Sequence, residues 1–203
     1  FNQLTNIQLR NNLINDITPL CKMPRLKKLD LVENRIKSIK NLEFPVLETL
    51  NLSKNQLVFV ENFTMPKLQD LNLSENKIFY VSPFAFSNCE SLKSLNLSTN
   101  SIRELKENAF SGLTALKTLK LGTNSLTSLS YSLDKDLSEV THLDISENPL
   151  ETIQGLKLLQ SLEVVDLHKT NLESASSLSP LFNLCSLKCL SLAESPIADL
   201  EDY

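Results

Sequence analysis

Seven times along its length, and twice more in looser copies, the chain repeats one pattern, L-x-x-L-x-L-x-x-N-x-L with Ile or Val tolerated at the Leu positions, and such a sequence has to be stacked on itself to fold. The copies start at Leu4, Leu26, Leu47, Leu68, Leu92, Leu116, Val140, Leu162 and Leu187, with steps of 22, 21, 21, 24, 24, 24, 22 and 25 residues. Within each copy the L-x-L pair alternates, which marks a short strand with one buried and one outward face. One such strand cannot bury its apolar side alone, but copies stacked in register share a continuous leucine core and a parallel sheet. The pattern specifies a horseshoe-shaped α/β solenoid forming a single domain over residues 1–203. Its concave face is a parallel β-sheet of about nine strands, roughly 40 Å along the stacking direction. Its convex side is built from short irregular, 3-10 or helical segments.

The Asn that closes each pattern follows the strand where the chain turns inward, at Asn12, Asn34, Asn55, Asn76, Asn100, Asn124 and Asn148. A side-chain amide carries both donors and acceptors, so a ladder of these Asn residues can satisfy the backbone groups that the turns bury. Thr170 and Ser195 stand in this place in the last two copies, where a hydroxyl supplies part of the bonding. The 24-residue copies also carry Ala85-Phe86 and Ala109-Phe110, set to pack inward under a short helical turn.

On these residues the chain resembles the leucine-rich-repeat superfamily over essentially its whole length. The short unit Leu26-Lys-Lys-Leu-Asp-Leu31, continuing through Ile36 and Ile39, resembles the 22-residue class typified by the regulatory subunit of protein phosphatase 1. The ending Ser195-Pro-Ile-Ala-Asp-Leu-Glu-Asp-Tyr203 resembles the opening of the C-terminal cap of that mainly intracellular class. The unit Asn108-Ala-Phe-Ser-Gly-Leu113 resembles the 24-residue class of extracellular receptors, and Ala85-Phe-Ser-Asn-Cys-Glu-Ser-Leu92 is similar to microbial surface repeats. The resemblance implies binding of proteins, and in some members peptides or glycolipids, mostly on the concave face. The function expected from it is a non-enzymatic interaction module, a scaffold or adaptor in a cytoskeletal, ciliary or phosphatase assembly. The alternative is an extracellular recognition protein or innate-immune-type receptor ectodomain. Neither end carries a polar capping segment, so the chain is expected to be a fragment of a longer one, or to have its ends covered by neighbouring domains or caps.

Composition narrows the partner. The net charge of -4, without a stripe of Lys and Arg, argues against nucleic acid. No run approaches the roughly 18 apolar residues that a membrane helix needs, so no membrane insertion is expected in this segment. There is no Ser/His/Asp order, no phosphate-cradling glycine loop and no H-E-x-x-H motif, so neither catalysis nor a cofactor or metal is expected. Of the four cysteines, Cys89 aligns with Leu113 and belongs in the core, Cys21 and Cys185 fall in outer or linking segments, and Cys189 takes an outward strand position. Free thiols without flanking cysteine clusters fit a reducing compartment, hence a cytoplasmic or cytoskeletal location, with an extracellular one as the alternative. Three of the four N-x-[ST] sequons, at Asn51, Asn72 and Asn96, are generated by the repeat itself, whereas Asn62-Phe-Thr is independent of it.

The outward positions of the sheet carry the remaining information. The central column reads Gln8, Asp30, Asn51, Asn72, Asn96, Lys120, Asp144, Asp166, Ser191. Asn51, Asn72 and Asn96 fall on three consecutive rungs. Asp144 and Asp166 lie side by side about 4.8 Å apart, with Lys120 on the preceding strand and Glu147, Glu163 and Glu194 nearby. Two unpartnered carboxylates this close repel each other and suit a partner's Arg or Lys. His142 and His168 fall about 13 Å apart on neighbouring rungs, too far to share a metal, and read as exposed polar residues of the same face.

Overall fold

The computed structural model describes residues 2–40, 42–61, 64–129, 133 and 135–197. Nine short strands stack in chain order into one parallel sheet: β1 (Asn6–Gln8), β2 (Lys28–Asp30), β3 (Thr49–Asn51), β5 (Asp70–Asn72), β7 (Ser94–Asn96), β8 (Thr118–Lys120), β9 (His142–Asp144), β10 (Val164–Asp166) and β11 (Cys189–Ser191). Every neighbouring pair is in strict register, so that Leu29, Leu50, Leu71, Leu95, Leu119, Leu143 and Val165 form one inward column. Each of these seven is no more than 2% exposed, the burial that the alternating pattern demands. At the last rung the equivalent Leu190 is 37% exposed. The architecture is the horseshoe α/β solenoid with a nine-stranded parallel sheet.

The return segments differ with their length. Four of them form 3-10 helices, at Thr18–Lys22, Lys135–Leu137, Gln154–Leu158 and Ala175–Leu181. In two of the 24-residue units the return is a run of hydrogen-bonded turns rather than a helix. Ala85, Phe86, Ala109 and Phe110 beneath these turns are buried, and the Phe86 and Phe110 rings stack at 6.2 Å. Cys89 lies in the same layer and is fully buried. A second, two-stranded parallel ladder, β4 (Phe59–Val60) with β6 (Tyr80–Val81), follows the inward turn of two adjacent units. β-branched and aromatic residues at 58–60 and 79–81 explain why strand forms there and not in the corresponding Arg103-Glu104 stretch.

Each inward turn passes through the left-handed region at the residue before the ladder position, with φ between 52° and 60° at Asn11, Glu33, Lys54, Glu75, Thr99, Thr123, Glu147, Lys169 and Glu194. None of these is glycine, and a left-handed L-residue costs about 1 kcal/mol. The coil holds them there because the ladder residue that follows is locked, through its amide on the earlier rungs and through the Thr170 and Ser195 hydroxyls on the last two. Gly112 is different: at φ 90° it packs so closely that an added Cβ would lie 2.8 Å from Ser87 Cα.

Candidate functional site

The Asn ladder sets the frame on which any site is displayed. Asn34, Asn55, Asn76, Asn100, Asn124 and Asn148 each donate through Nδ2 to the carbonyl three residues back in their own rung and to a carbonyl of the preceding rung. Each also accepts, through Oδ1, a backbone N–H from the preceding coil at 2.9–3.0 Å. Asn12, on the first rung, is exposed, and its side-chain amide bonds only the Leu9 and Arg10 carbonyls of its own rung among the described residues. On the last two rungs, Thr170 and Ser195 each donate to the Leu167 carbonyl, and their hydroxyls lie 3.0 Å apart. No buried side-chain polar atom among the described residues lacks a partner.

With the core so closed, the outward positions of β1–β11 on the concave sheet are free to carry chemistry. The central column does more than face solvent. In six rungs its Asp or Asn turns Oδ1 back to accept the backbone N–H two residues on: Asp30 from Val32, Asn51 from Ser53, Asn72 from Ser74, Asn96 from Ser98, Asp144 from Ser146 and Asp166 from His168. These are Asx caps that close each strand end. Asn51, Asn72 and Asn96 therefore do not bond one another along the stack. Each Nδ2 is left without a protein partner among the described residues.

The expectation of two unpartnered carboxylates at Asp144 and Asp166 needs correction. The register does place them side by side. Asp144 Oδ1, however, accepts the Ser146 hydroxyl at 2.6 Å as well as its N–H. Asp166 Oδ1 meets His168 Nδ1 at 2.9 Å, while His168 Nε2 lies 3.5 Å from Glu147. The expectation that His168 is merely an exposed polar residue is overturned as well, since it is clamped between carboxylates of two rungs. The hydrogen bond that the His168 ring donates to Asp166 raises the His168 pKa above its usual value; partial desolvation opposes this, and the charges of Asp166 and Glu147 reinforce it. For Asp166 partial burial pulls the pKa upward, but hydrogen bonds from the His168 backbone and ring, the His168 charge and Ser191 outweigh it, and the net shift is downward. His142 is exposed on the first position of β9, with Nδ1 2.9 Å from the Thr141 hydroxyl.

Cation pairing divides the face. Asp30 is neutralised by Arg10 of the preceding rung at 2.6 Å, and Lys27 pairs with Glu48 along the sheet's flank. Lys120 and Asp144 are register neighbours, yet among the described residues neither forms an ion pair. Room for the Asp144 carboxylate is made by Gly122, which stands in a column that holds Ser53, Ser74, Ser98 and Ser146 at four rungs and Arg10, Val32, His168 and Ala193 at the others; an added Cβ there would sit 2.8 Å from Asp144 Oδ1. Two shallow troughs meet at Lys120, one of about 200 Å³ over Asn51, Asn72 and Asn96, the other of about 420 Å³ over His142, Asp144 and Asp166. The caps were the part of this site that pattern reading missed, although the recurring [DN]-x-S at four rungs was their signal. The independent sequon at Asn62 and the cap-like residues 198–203 lie outside the described residues. No helix among the described residues is long and apolar enough to cross a membrane.

A coiled chain with one parallel strand and one left-handed turn per coil, and a locked Asn in six of them, defines a solenoid repeat protein with an exposed concave sheet. Models described as Leucine rich repeat match residues 45–102, 66–126 and 90–150, and one described as Leucine Rich repeats (2 copies) matches 2–44. The chain belongs to the leucine-rich-repeat family. No curated protein matches it in sequence. Among solved structures it is similar to an internalin (inlF) from Listeria monocytogenes, at 25% identity and a TM-score of 0.79, over 98% of this chain and 57% of that one. It is also similar to internalin C2 (inlC2) from the same bacterium, at 25% identity and a TM-score of 0.71, over 93% and 80% of the two chains. A leucine-rich-repeat protein of Leptospira interrogans, at 23% identity and a TM-score of 0.79 over 99% and 57%, shares the fold. The chain thus spans little more than half the length of the first and third of these.

Proposed function

We propose that the chain is a non-enzymatic protein-interaction module, a scaffold or adaptor that holds a basic segment of a partner protein against the acidic rungs of its concave sheet. The observation that carries this reading is the Asp144 carboxylate, in register beside Asp166 on an open face and without a cation partner among the described residues, where Asp30 of the same column is paired with Arg10. A partner's Arg or Lys supplies what Arg10 supplies at the other end. The face is polar, so affinity rests on charge and shape more than on an apolar anchor. We place the module in a cytoplasmic or cytoskeletal, ciliary or phosphatase assembly, on the support of its four free thiols and its short units. The 24-residue units, which resemble those of extracellular receptors, favour a second reading as an extracellular recognition protein or receptor ectodomain. Glycan found on Asn62 by peptide mapping selects the second.

The test is a photo-crosslinking side chain placed in turn at Ser94 and Thr118 on the concave face and at Lys22 on the convex side. Adducts are expected from the first two only. Changing Asp144 and Asp166 together to Asn, which keeps both Oδ1 caps, is expected to weaken capture and flatten its dependence on salt. Equal labelling from both faces, or capture indifferent to the double change, overturns the proposal.

A further inference from the structure

Resting on that reading of the sheet, we infer that the bound segment is an extended stretch of the partner in which an acidic and a basic residue stand two apart, acid-x-base in either order, lying across the rungs rather than along them. The column is split by chemistry at the boundary between β8 and β9. On one side the free Nδ2 groups of Asn51, Asn72 and Asn96 and the ammonium of Lys120 make the central column a row of donors, because each Asn has already committed its Oδ1 to its own backbone; the carboxylate that lines this trough, Asp70, stands at the first position of its strand, off that column. On the other side Asp144 Oδ2 and Asp166 offer acceptors, and Glu147 extends them. A purely basic segment leaves Lys120 facing a like charge, and a purely acidic one meets Asp144. A segment with both charges satisfies both halves.

Spacing fixes the separation. Rungs are about 4.8 Å apart, so a cation shared between Asp144 and Asp166 sits one and a half rungs, about 7 Å, from Lys120. Side chains on one face of an extended strand recur every two residues, about 6.7 Å. The match is within about 0.5 Å, and the next same-face residue beyond the acid falls between Asn96 and Asn72, where an acceptor side chain is called for. Both troughs are shallow and meet at Lys120, with about 200 Å³ on the donor side and about 420 Å³ on the acidic side. They hold side chains of a slender strand rather than a helix about 10–12 Å across.

The experiment pans a random linear heptapeptide library on the intact chain and measures the best peptide by fluorescence anisotropy. Enrichment of acid-x-base over the unselected library is expected. Lys120→Glu is expected to weaken that peptide about five-fold, the scale of one exposed ion pair, and changing the peptide's acid to Lys should restore it. Asp144→Asn with Asp166→Asn should weaken it similarly through the base. Enriched peptides that are basic without an acid two residues away, and indifferent to Lys120→Glu, overturn the acid-x-base inference while the acidic rungs keep their role. Peptides indifferent to changes at 120, 144 and 166 overturn both readings, and no enrichment at all overturns a linear segment. Melting curves of the variants separate lost contacts from lost fold: Lys120→Glu is expected to match the parent, and the Asp144→Asn with Asp166→Asn variant to lose no more than the His168 clamp contributes.

Discussion

Replacing Asn148 with Leu isolates what the amide ladder contributes, because Leu fills much the same space and removes only the polar atoms. Asn148 is 1% exposed. Its Nδ2 donates to the carbonyls of Leu121, Ile145 and Ser146 at 3.0–3.1 Å, and its Oδ1 accepts the Leu126 N–H at 2.9 Å. Not all four are orphaned by the change. The Leu121 carbonyl keeps the Asn124 amide at 2.9 Å, and the Ser146 carbonyl keeps the Thr123 N–H at 2.8 Å. The Ile145 carbonyl and the Leu126 N–H are left bare, since Thr170 on the next rung reaches only its own Leu167. Two stranded buried groups at about 1–3 kcal/mol each give a loss of about 4 kcal/mol. For a chain of this size that lowers the Tm by about 12 °C. Asn12→Leu, on the exposed first rung, should lose less than about 1 kcal/mol because water replaces its two bonds. Asn148→Thr should fall between them, as a hydroxyl keeps one donor. Thermal melts rank the three, and amide exchange at Leu126 should accelerate in Asn148→Leu above all other sites. If Asn148→Leu and Asn12→Leu differ by less than about 1 kcal/mol, the ladder is ornament and the account of the inward turn is wrong.

Three further expectations follow from particular contacts. Gly112→Ala combines φ 90° with a Cβ 2.8 Å from Ser87 Cα, so a loss of about 3 kcal/mol in urea unfolding is expected, and a loss below about 1 kcal/mol refutes the close approach. Because the folded His168 pKa is raised, its contribution to stability is fully present below the unfolded value of 6.5 and disappears as pH climbs through the folded one. An NMR titration should place the ring above 6.5 and bring it down in Glu147→Gln with Asp166→Asn; an unchanged midpoint removes the clamp. Burial pushes the Cys89 thiol pKa up to about 12, so alkylation at pH 8 should label the exposed Cys185 and Cys189 and spare Cys89 until the chain is unfolded, as mass spectrometry of digests would show.

The leucine column and the turn amides were legible because each obeys a period that a linear sequence displays: Leu29 to Val165 recur rung by rung, and so do Asn34 to Asn148. What escaped reading depends on local geometry without a period of its own. The left-handed turns sit at Glu33, Lys54, Thr99 and Thr123, residue types that do not announce that conformation, and only the locked amide beside them imposes it. The sequons at Asn51, Asn72 and Asn96 were legible as products of the repeat, but the reason the repeat keeps Asn there was not. Their structural sense is that each Ser backbone N–H is capped by its Asn, the Ser side chain being incidental at all but Asn96. The clamp on His168 joins residues from two coils at different strand offsets, a pairing that strict register does not suggest. The β4–β6 ladder could have been read from Val58-Phe59-Val60 and Phe79-Tyr80-Val81, had strand propensity been weighed outside the repeat.

The caps also limit what surface the sheet can present. Asp and Asn accept the backbone N–H two residues on better than a hydroxyl does, so the six central positions exchange most readily between these two and then vary only in charge. Such an exchange leaves the cap in place, which is why Asp144→Asn and Asp166→Asn can probe the surface without disturbing the fold. Lys120 stands outside this economy: an ammonium cannot cap the Gly122 N–H, so the rung gives up its closure and gains a cation. The residue that follows is Gly122, and its missing side chain is what lets the Asp144 carboxylate lean toward the same rung. Restoring the common Ser at 122 should therefore push Asp144 away and weaken peptide binding as Asp144→Asn does, while leaving the leucine core and the amide ladder untouched. The donor and acceptor halves of the sheet meet at Lys120, the one interior rung among the described residues that lacks this closing cap.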